Sequence, residues 1–131
     1  MSDLYFPPRE LSVMSVLWRL GSGTVSDVRD ALDEDLAYTS VLSALQILEE
    51  KGVVRHETKG RAYRYFPTVE AERAGGSALA RVRDAIFHGS AERMFAQMVA
   101  DKKLSRKELQ RMRELIAERL GERGLTGALG R

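Results

Sequence analysis

The chain has 131 residues, 44% of them hydrophobic and 31% charged, with a formal net charge of +2 and no cysteine. That length holds one domain, or a small domain with an oligomerisation segment, and the composition is that of a soluble, helix-rich chain. The lack of cysteine excludes disulfides, thiol chemistry and Cys-ligated zinc or copper, and no apolar run approaches the roughly 18 residues of a membrane span.

Residues 1–8 carry neither a basic region nor an apolar run of the kind a secretory signal needs, so a cytoplasmic location without membrane contact is expected. Pro7-Pro8 opens the first expected helix, with Pro8 suited to a first turn where its missing N–H would find no partner anyway. Leu11, Met14, Leu17 and Trp18 fall at three- and four-residue spacing, widened by Val13, Val16 and Leu20, and Gly21-Ser22-Gly23 ends the segment. Trp18 within such a stripe reads as packing rather than as a base-stacking platform. Thr24 to Asp27 makes a capping-box start for a short second helix with Val25, Val28, Ala31 and Leu32 inward. Asp33-Glu34-Asp35 closes it as a loop, and Leu36-Ala37 is expected to form a very short strand paired with the hairpin that follows.

A third helix starts at Tyr38 or Thr39. Val41, Ala44, Leu45 and Leu48 sit at i, i+3, i+4 and i+7, one buried face. The opposite face carries Thr39, Ser40, Ser43, Gln46 and Ile47, with Leu42 at its border. Lys51 suits the helix dipole and Gly52 supplies the cap. Val53 to Lys59 and Ala62 to Pro67 have strand character, and Gly60 between them permits a tight turn.

Charge is segregated along this part of the chain. Residues 1–70 hold 8 Lys/Arg against 11 Asp/Glu, and residues 71–131 hold 13 against 8. Yet Lys51, Arg55, Lys59, Arg61 and Arg64 gather in or just before the hairpin. A charge run of this kind is often only a solvated face. Preceded by a helix whose outward face is small and polar, it has the shape of a DNA-reading winged helix. Thr39, Ser40 and Ser43 can contact phosphates or base edges, Gln46 an adenine edge, and Leu42 or Ile47 a thymine methyl. Lys59, Arg61 and Arg64 can grip phosphates or probe the minor groove, with Tyr38 and Tyr63 adding hydroxyl contacts. Tyr65 and Phe66 are expected in packing.

Thr68 to Phe87 reads as a long helix capped by Thr68. Gly75-Gly76 inside it costs about 1 kcal/mol per Gly relative to Ala, which points to a break or a hinge. Leu79, Val82, Ile86 and Phe87 resume an apolar face before His88-Gly89. Ser90 caps a further helix with Ala91, Met94, Phe95, Met98 and Val99 on one side. Ser105 and Glu108 form a capping box ahead of Leu109, Met112, Ile116 and Leu120. The expected fold is mainly α: a winged helix-turn-helix domain with a small β-hairpin wing over 1–70, a helical dimerisation domain over 71–123, and a frayed tail over 124–131. The C-terminal apolar faces exceed what three helices hide alone. Phe87, Met94, Phe95, Met98, Leu109, Met112 and Ile116 are therefore expected to join two copies, a helical cap on the first domain being the alternative.

Nothing in the sequence carries catalysis. The two histidines lack partners at metal-ligand spacing, and no phosphate loop, dinucleotide fingerprint or nucleophile elbow occurs, so no enzyme, metal or cofactor is expected. A sequence-specific DNA-binding repressor is the first reading. A protein-interaction module and a ligand-gated regulator are the alternatives.

Taken in order, Leu11 to Trp18, Thr24 to Val28, Tyr38 to Leu45, Lys51-Gly52, Lys59 to Tyr65 and Phe87 to Ser90 resemble the penicillinase-repressor family, which includes the methicillin-resistance and copper-responsive repressors. The likeness covers about residues 8–120. It implies a homodimer that binds a palindromic operator in double-stranded DNA through helix and wing and dimerises through its C-terminal helices. Ser40 and Ser43 stand where the family usually has Thr, and Ile47 where it has a basic or polar residue. In the β-lactam-responsive members a sensor protease cuts an Asn-Phe bond. The matching bond here is Gln97-Met98, where such a protease would be a further partner. The C-terminal Cys pairs of the copper-responsive members have no counterpart.

Overall fold

The computed structural model describes residues 4–122, in the order α1 (Pro8–Leu20), β1 (Gly23–Thr24), α2 (Val25–Ala31), α3 (Tyr38–Glu50), β2 (Val54–Lys59), β3 (Ala62–Pro67), α4 (Ala71–Ala85), α5 (Ala91–Val99) and α6 (Arg106–Arg119). The expected tail over 124–131 lies outside the described residues. No described helix is long and apolar enough to cross a membrane.

Two compact units divide the chain between Val82 and Arg83. The division falls later than the expected boundary at residue 70 because the first half of α4 is bonded to the N-terminal segment. Ser77 Oγ accepts from the Leu4 N–H at 3.2 Å, and Arg81 donates to the Leu4 carbonyl at 2.9 Å while lying 5.1 Å from the Tyr5 ring centre.

The first unit is built on three short helices and a three-stranded antiparallel sheet of order β1-β3-β2. Its core joins Val13, Met14, Val16 and Leu17 of α1, Val25 and Val28 of α2, Val41, Ala44, Leu45 and Leu48 of α3, and Val53, Val54 and Tyr65 of the hairpin. The expected α1 stripe is thus rotated: Val13 and Val16 are central, whereas Leu11 and Leu20 are exposed. Trp18 is half-buried, with Phe6 edge-on to it at 6.2 Å and its indole N–H donated to the Val69 carbonyl at 2.8 Å. The third strand is not Leu36-Ala37. Gly23 and Thr24 pair with Tyr65 and Arg64 instead, because the backbone leaving Gly21 (φ 88°) runs extended beside β3 before Thr24 turns it into α2. Helix α2 has the expected capping box, with Thr24 Oγ accepting from the Asp27 N–H and Asp27 accepting from the Thr24 N–H.

Helix α3 has the expected bounds and buried face. Gly52 beyond its end takes φ 81°, the left-handed residue that lets the chain turn into β2. Thr68 does not cap α4. Its hydroxyl donates to the Gly52 carbonyl at 2.7 Å and its N–H to the Val53 carbonyl at 2.9 Å, which ties the end of the hairpin to the end of α3. Helix α4 starts at Ala71 and runs unbroken through Gly75 and Gly76, so the pair does not break the helix.

In the second unit α5 and α6 have serine N-caps. Ser90 accepts from the Arg93 N–H at 3.1 Å, and Ser105 and Glu108 complete the expected box. Neither helix contains a buried residue.

Candidate nucleic-acid interface

The hairpin is a two-residue connection. Lys59 pairs with Ala62, leaving Gly60 (φ 65°) and Arg61 at the tip. A positive φ at the first of two loop residues is the type II′ pattern, whose twist matches that of the strands. Lys59 and Arg61 are exposed there, with no side-chain hydrogen bond or ion pair among the described residues.

Helix α3 presents Thr39, Ser43, Gln46 and Ile47 to solvent, the last 42% exposed, and none of them is charged. Ser40 and Leu42 are half-buried, and Leu42 packs against the core, so they stand at the edge of this face. Tyr38 is exposed at the start of the helix, with the Arg29 guanidinium 5.9 Å from its ring centre. A groove of about 420 Å³ separates this helix from the hairpin. Tyr38, Leu42 and Gln46 of α3 and Arg61, Ala62, Tyr63 and Tyr65 of the hairpin line it, together with Thr24 to Ser26 at the start of α2. Sequence-predicted residues from two elements therefore share one groove, while Thr39, Ser40, Ser43, Ile47 and Lys59 do not line it.

Arg64 is turned elsewhere. It donates to Ser22 Oγ at 3.0 Å and lies 3.4 Å from the Asp27 carboxylate, which joins β3 to the start of α2. Asp27 is held below the ordinary aspartate pKa, first by the Thr24 N–H, which outweighs an opposing desolvation, and further by the Thr24 hydroxyl and the Arg64 charge. This engagement occupies the guanidinium that the sequence pattern offers to phosphate. Tyr63 is 49% exposed and remains available, whereas Tyr65 is buried. Burial raises the Tyr65 hydroxyl pKa, and the Glu49 charge adds to the effect. Phe66 is half-buried, with the Arg55 guanidinium 4.3 Å from its ring centre.

Sequence reasoning missed the His56–Glu49 contact. His56 Nδ1 lies 2.9 and 2.7 Å from the two Glu49 oxygens, and its ring stacks on Tyr63 at 4.2 Å. Strand alternation placed His56 on the face opposite Glu57, but the helix end it meets became visible only with the hairpin register, in which His56 opposes Tyr65. Among the described residues, no group of three or more His, Asp or Glu is placed to hold a metal ion.

Of the expected dimer residues, Phe87, Met94 and Met112 are half-buried, and Phe95, Met98, Leu109 and Ile116 are exposed. Gln97 and Met98, at the bond singled out for a protease, lie inside α5 with exposed side chains.

The transcriptional regulator BlaI of Mycobacterium tuberculosis is 44% identical to this chain over 61 residues in both strain CDC 1551 / Oshkosh and strain ATCC 25618 / H37Rv, 44% of either chain. The match therefore spans less than half the length of these curated relatives. Among solved structures, a CopR repressor aligns with a TM-score of 0.41 and 26% identity, covering 53% of this chain and 97% of that one. An ArsR family transcriptional regulator aligns with a TM-score of 0.38 and 22% identity, covering 62% and 94%. The family model described as Penicillinase repressor matches residues 6–118, from before α1 to the last turn of α6. The chain belongs to the penicillinase-repressor family of transcriptional regulators.

Proposed function

We propose that the protein is a sequence-specific DNA-binding repressor that acts as a homodimer on a palindromic operator. One observation carries this reading: an uncharged helix face stands beside a hairpin whose exposed Lys59 and Arg61 have no ion-pair partner among the described residues. A helix bearing Thr39, Ser43 and Gln46 enters a major groove of about 12 Å without charge conflict. Lys59 and Arg61 beside it supply the sequence-independent attraction to phosphate. Division of labour follows: α3 selects the sequence and the wing supplies affinity. Tyr38 and Tyr63 border the path of the backbone between the two grooves and add hydroxyl contacts there. Ser40 and Leu42, half-buried, contribute at the edge of the reading face, and Ile47 offers an apolar contact for a thymine methyl.

Phe87, Met94, Phe95, Met98, Leu109, Met112 and Ile116 join the two copies. The support is that α5 and α6 bury no residue within the chain while bearing Leu, Ile, Met and Phe at helical spacing.

The experiment is protection mapping and gel-shift titration on the DNA upstream of the coding sequence. A salt-sensitive complex protecting two symmetric half-sites is expected. Gln46→Ala should relax preference at one base pair per half-site by about 1–3 kcal/mol, as loss of a bidentate base contact does. A complex with no sequence preference in the wild-type protein would remove the assignment.

A further inference from the structure

A polar contact between His56 and Glu49 links the hairpin to the end of α3. His56 comes from the middle of β2 and Glu49 from the last turn of α3. The imidazole Nδ1 meets both carboxylate oxygens at 2.9 and 2.7 Å, and both side chains are about one-third exposed (31% and 34%). On its other side the same ring stacks nearly parallel on Tyr63, with centroids 4.2 Å apart and planes 23° apart. Tyr65 closes the row, 5.6 Å from His56 and 6.5 Å from Tyr63. The row runs from the core outward, since Tyr65 is 1% exposed and Tyr63, two residues nearer the tip, is 49% exposed. Beyond Tyr63 lie the Lys59–Ala62 pair and the tip residues Gly60 and Arg61.

A two-stranded ribbon is marginal by itself and its tip is its most mobile part. The base of this hairpin is fixed by Thr68 and by β1. Neither reaches the outer half, because β1 pairs only with Tyr65 and Arg64. Among the described residues, the side-chain hydrogen bond between β2 and α3 is that of His56 with Glu49.

We propose that His56 and Glu49 are positioning residues for DNA recognition, holding the Tyr63 ring and hence Arg61 at the distance from α3 that lets helix and wing engage one DNA segment together. The inference rests on the DNA-binding reading above. Without the pair the ribbon would pivot about its fixed base. Arg61 would then reach phosphate in only part of the ensemble, and apparent affinity would fall by that fraction.

The test has an arm without DNA and an arm with it. In the free protein, hydrogen exchange of the amides of 59–63 should speed up in Glu49→Ala and His56→Ala, with Val13 to Leu17 unchanged, whereas Glu49→Gln, which keeps an acceptor, should stay close to wild type. On the operator, Glu49→Ala and His56→Ala should each weaken binding by roughly tenfold, about 1.4 kcal/mol. That loss should shrink in an Arg61→Ala background, because a residue acting through Arg61 has nothing left to position. A surface pair that merely adds stability would instead give equal losses in both backgrounds. Unchanged exchange at 59–63, or fully additive losses with Arg61→Ala, would overturn the proposal. Failure of wild-type protein to bind any operator would count against the DNA-binding reading, and the free-protein arm would still decide whether the pair holds the wing.

Discussion

Arg61 and Arg64 are three residues apart in one basic hairpin, yet their surroundings assign them different work. Arg61 is exposed with no ion pair among the described residues, so its charge is available to phosphate, while Arg64 is engaged with Ser22 and Asp27. Arg61→Ala should weaken binding to operator and random DNA alike and lower the slope of log K against log salt by about one. Arg64→Ala should change that slope less and show instead as a small loss of thermal stability. Equal salt slopes for the two variants would show that Arg64 leaves Asp27 when DNA arrives. Asp27 itself gives a pH signature. Its native pKa is depressed, so its contribution to folding is complete at and above the ordinary aspartate range and is lost as pH falls through the lower native value. Protection of the first α2 amides should therefore decline on acidification below about pH 4. In Asp27→Asn that acid step should be absent, with protection already reduced at neutral pH. An unchanged acid profile in the variant would assign the step to another carboxylate.

Helix α3 and the hairpin were legible in the sequence nearly residue by residue, because a 3.6-residue period over Val41, Ala44, Leu45 and Leu48 and a Gly between two strand-like runs are local signals. What was not legible depends on contacts far apart in the chain. Thr68 has the chemistry of an N-cap, and only the nearness of the Gly52 carbonyl turns its hydroxyl into a hairpin tie. The third strand went to Gly23–Thr24 rather than Leu36-Ala37 because β3 offers its free edge to the chain leaving α1. His56 looked isolated because its partner is the end of a helix seven residues earlier. At Gly75-Gly76 the expected break does not occur. The helix continues through both, and a Cβ on either meets nothing within 4 Å. Gly75→Ala and Gly76→Ala should each stabilise the protein by roughly 0.5–1 kcal/mol by restoring helix propensity, measured by denaturant unfolding. If either loses operator affinity while gaining stability, the glycines are kept for bending in the bound state, since packing gives no other reason for them.

At the scale of the whole molecule, the two units differ in how much each buries. The first closes a core over Val13, Met14, Leu17, Val28, Val41, Leu45 and Leu48, all at 0% exposure. The second holds Ile116 at 44%, Leu115 at 64% and Leu120 at 65% exposure, and buries nothing on α5 or α6. Apolar burial stabilises by about 25 cal/mol per Å², so faces left in water contribute little to holding these helices, and the proposed second copy would cover them with the same surface across a two-fold axis. The proposed dimer also suits the proposed DNA reading, because two linked reading helices convert the second half-site contact into an intramolecular one. The expected result in sedimentation equilibrium is a dimer at micromolar concentration. Ile116→Asp together with Leu109→Asp should yield a monomer whose circular dichroism keeps the signal of α1 to α3. Its affinity for a two-half-site operator should fall by about a hundredfold or more, the scale of a lost avidity term, while a single half-site is bound as weakly as by wild type. A wild-type chain that stays monomeric at micromolar concentration, or a charged variant that still dimerises, would show that these faces are covered by something other than a second copy.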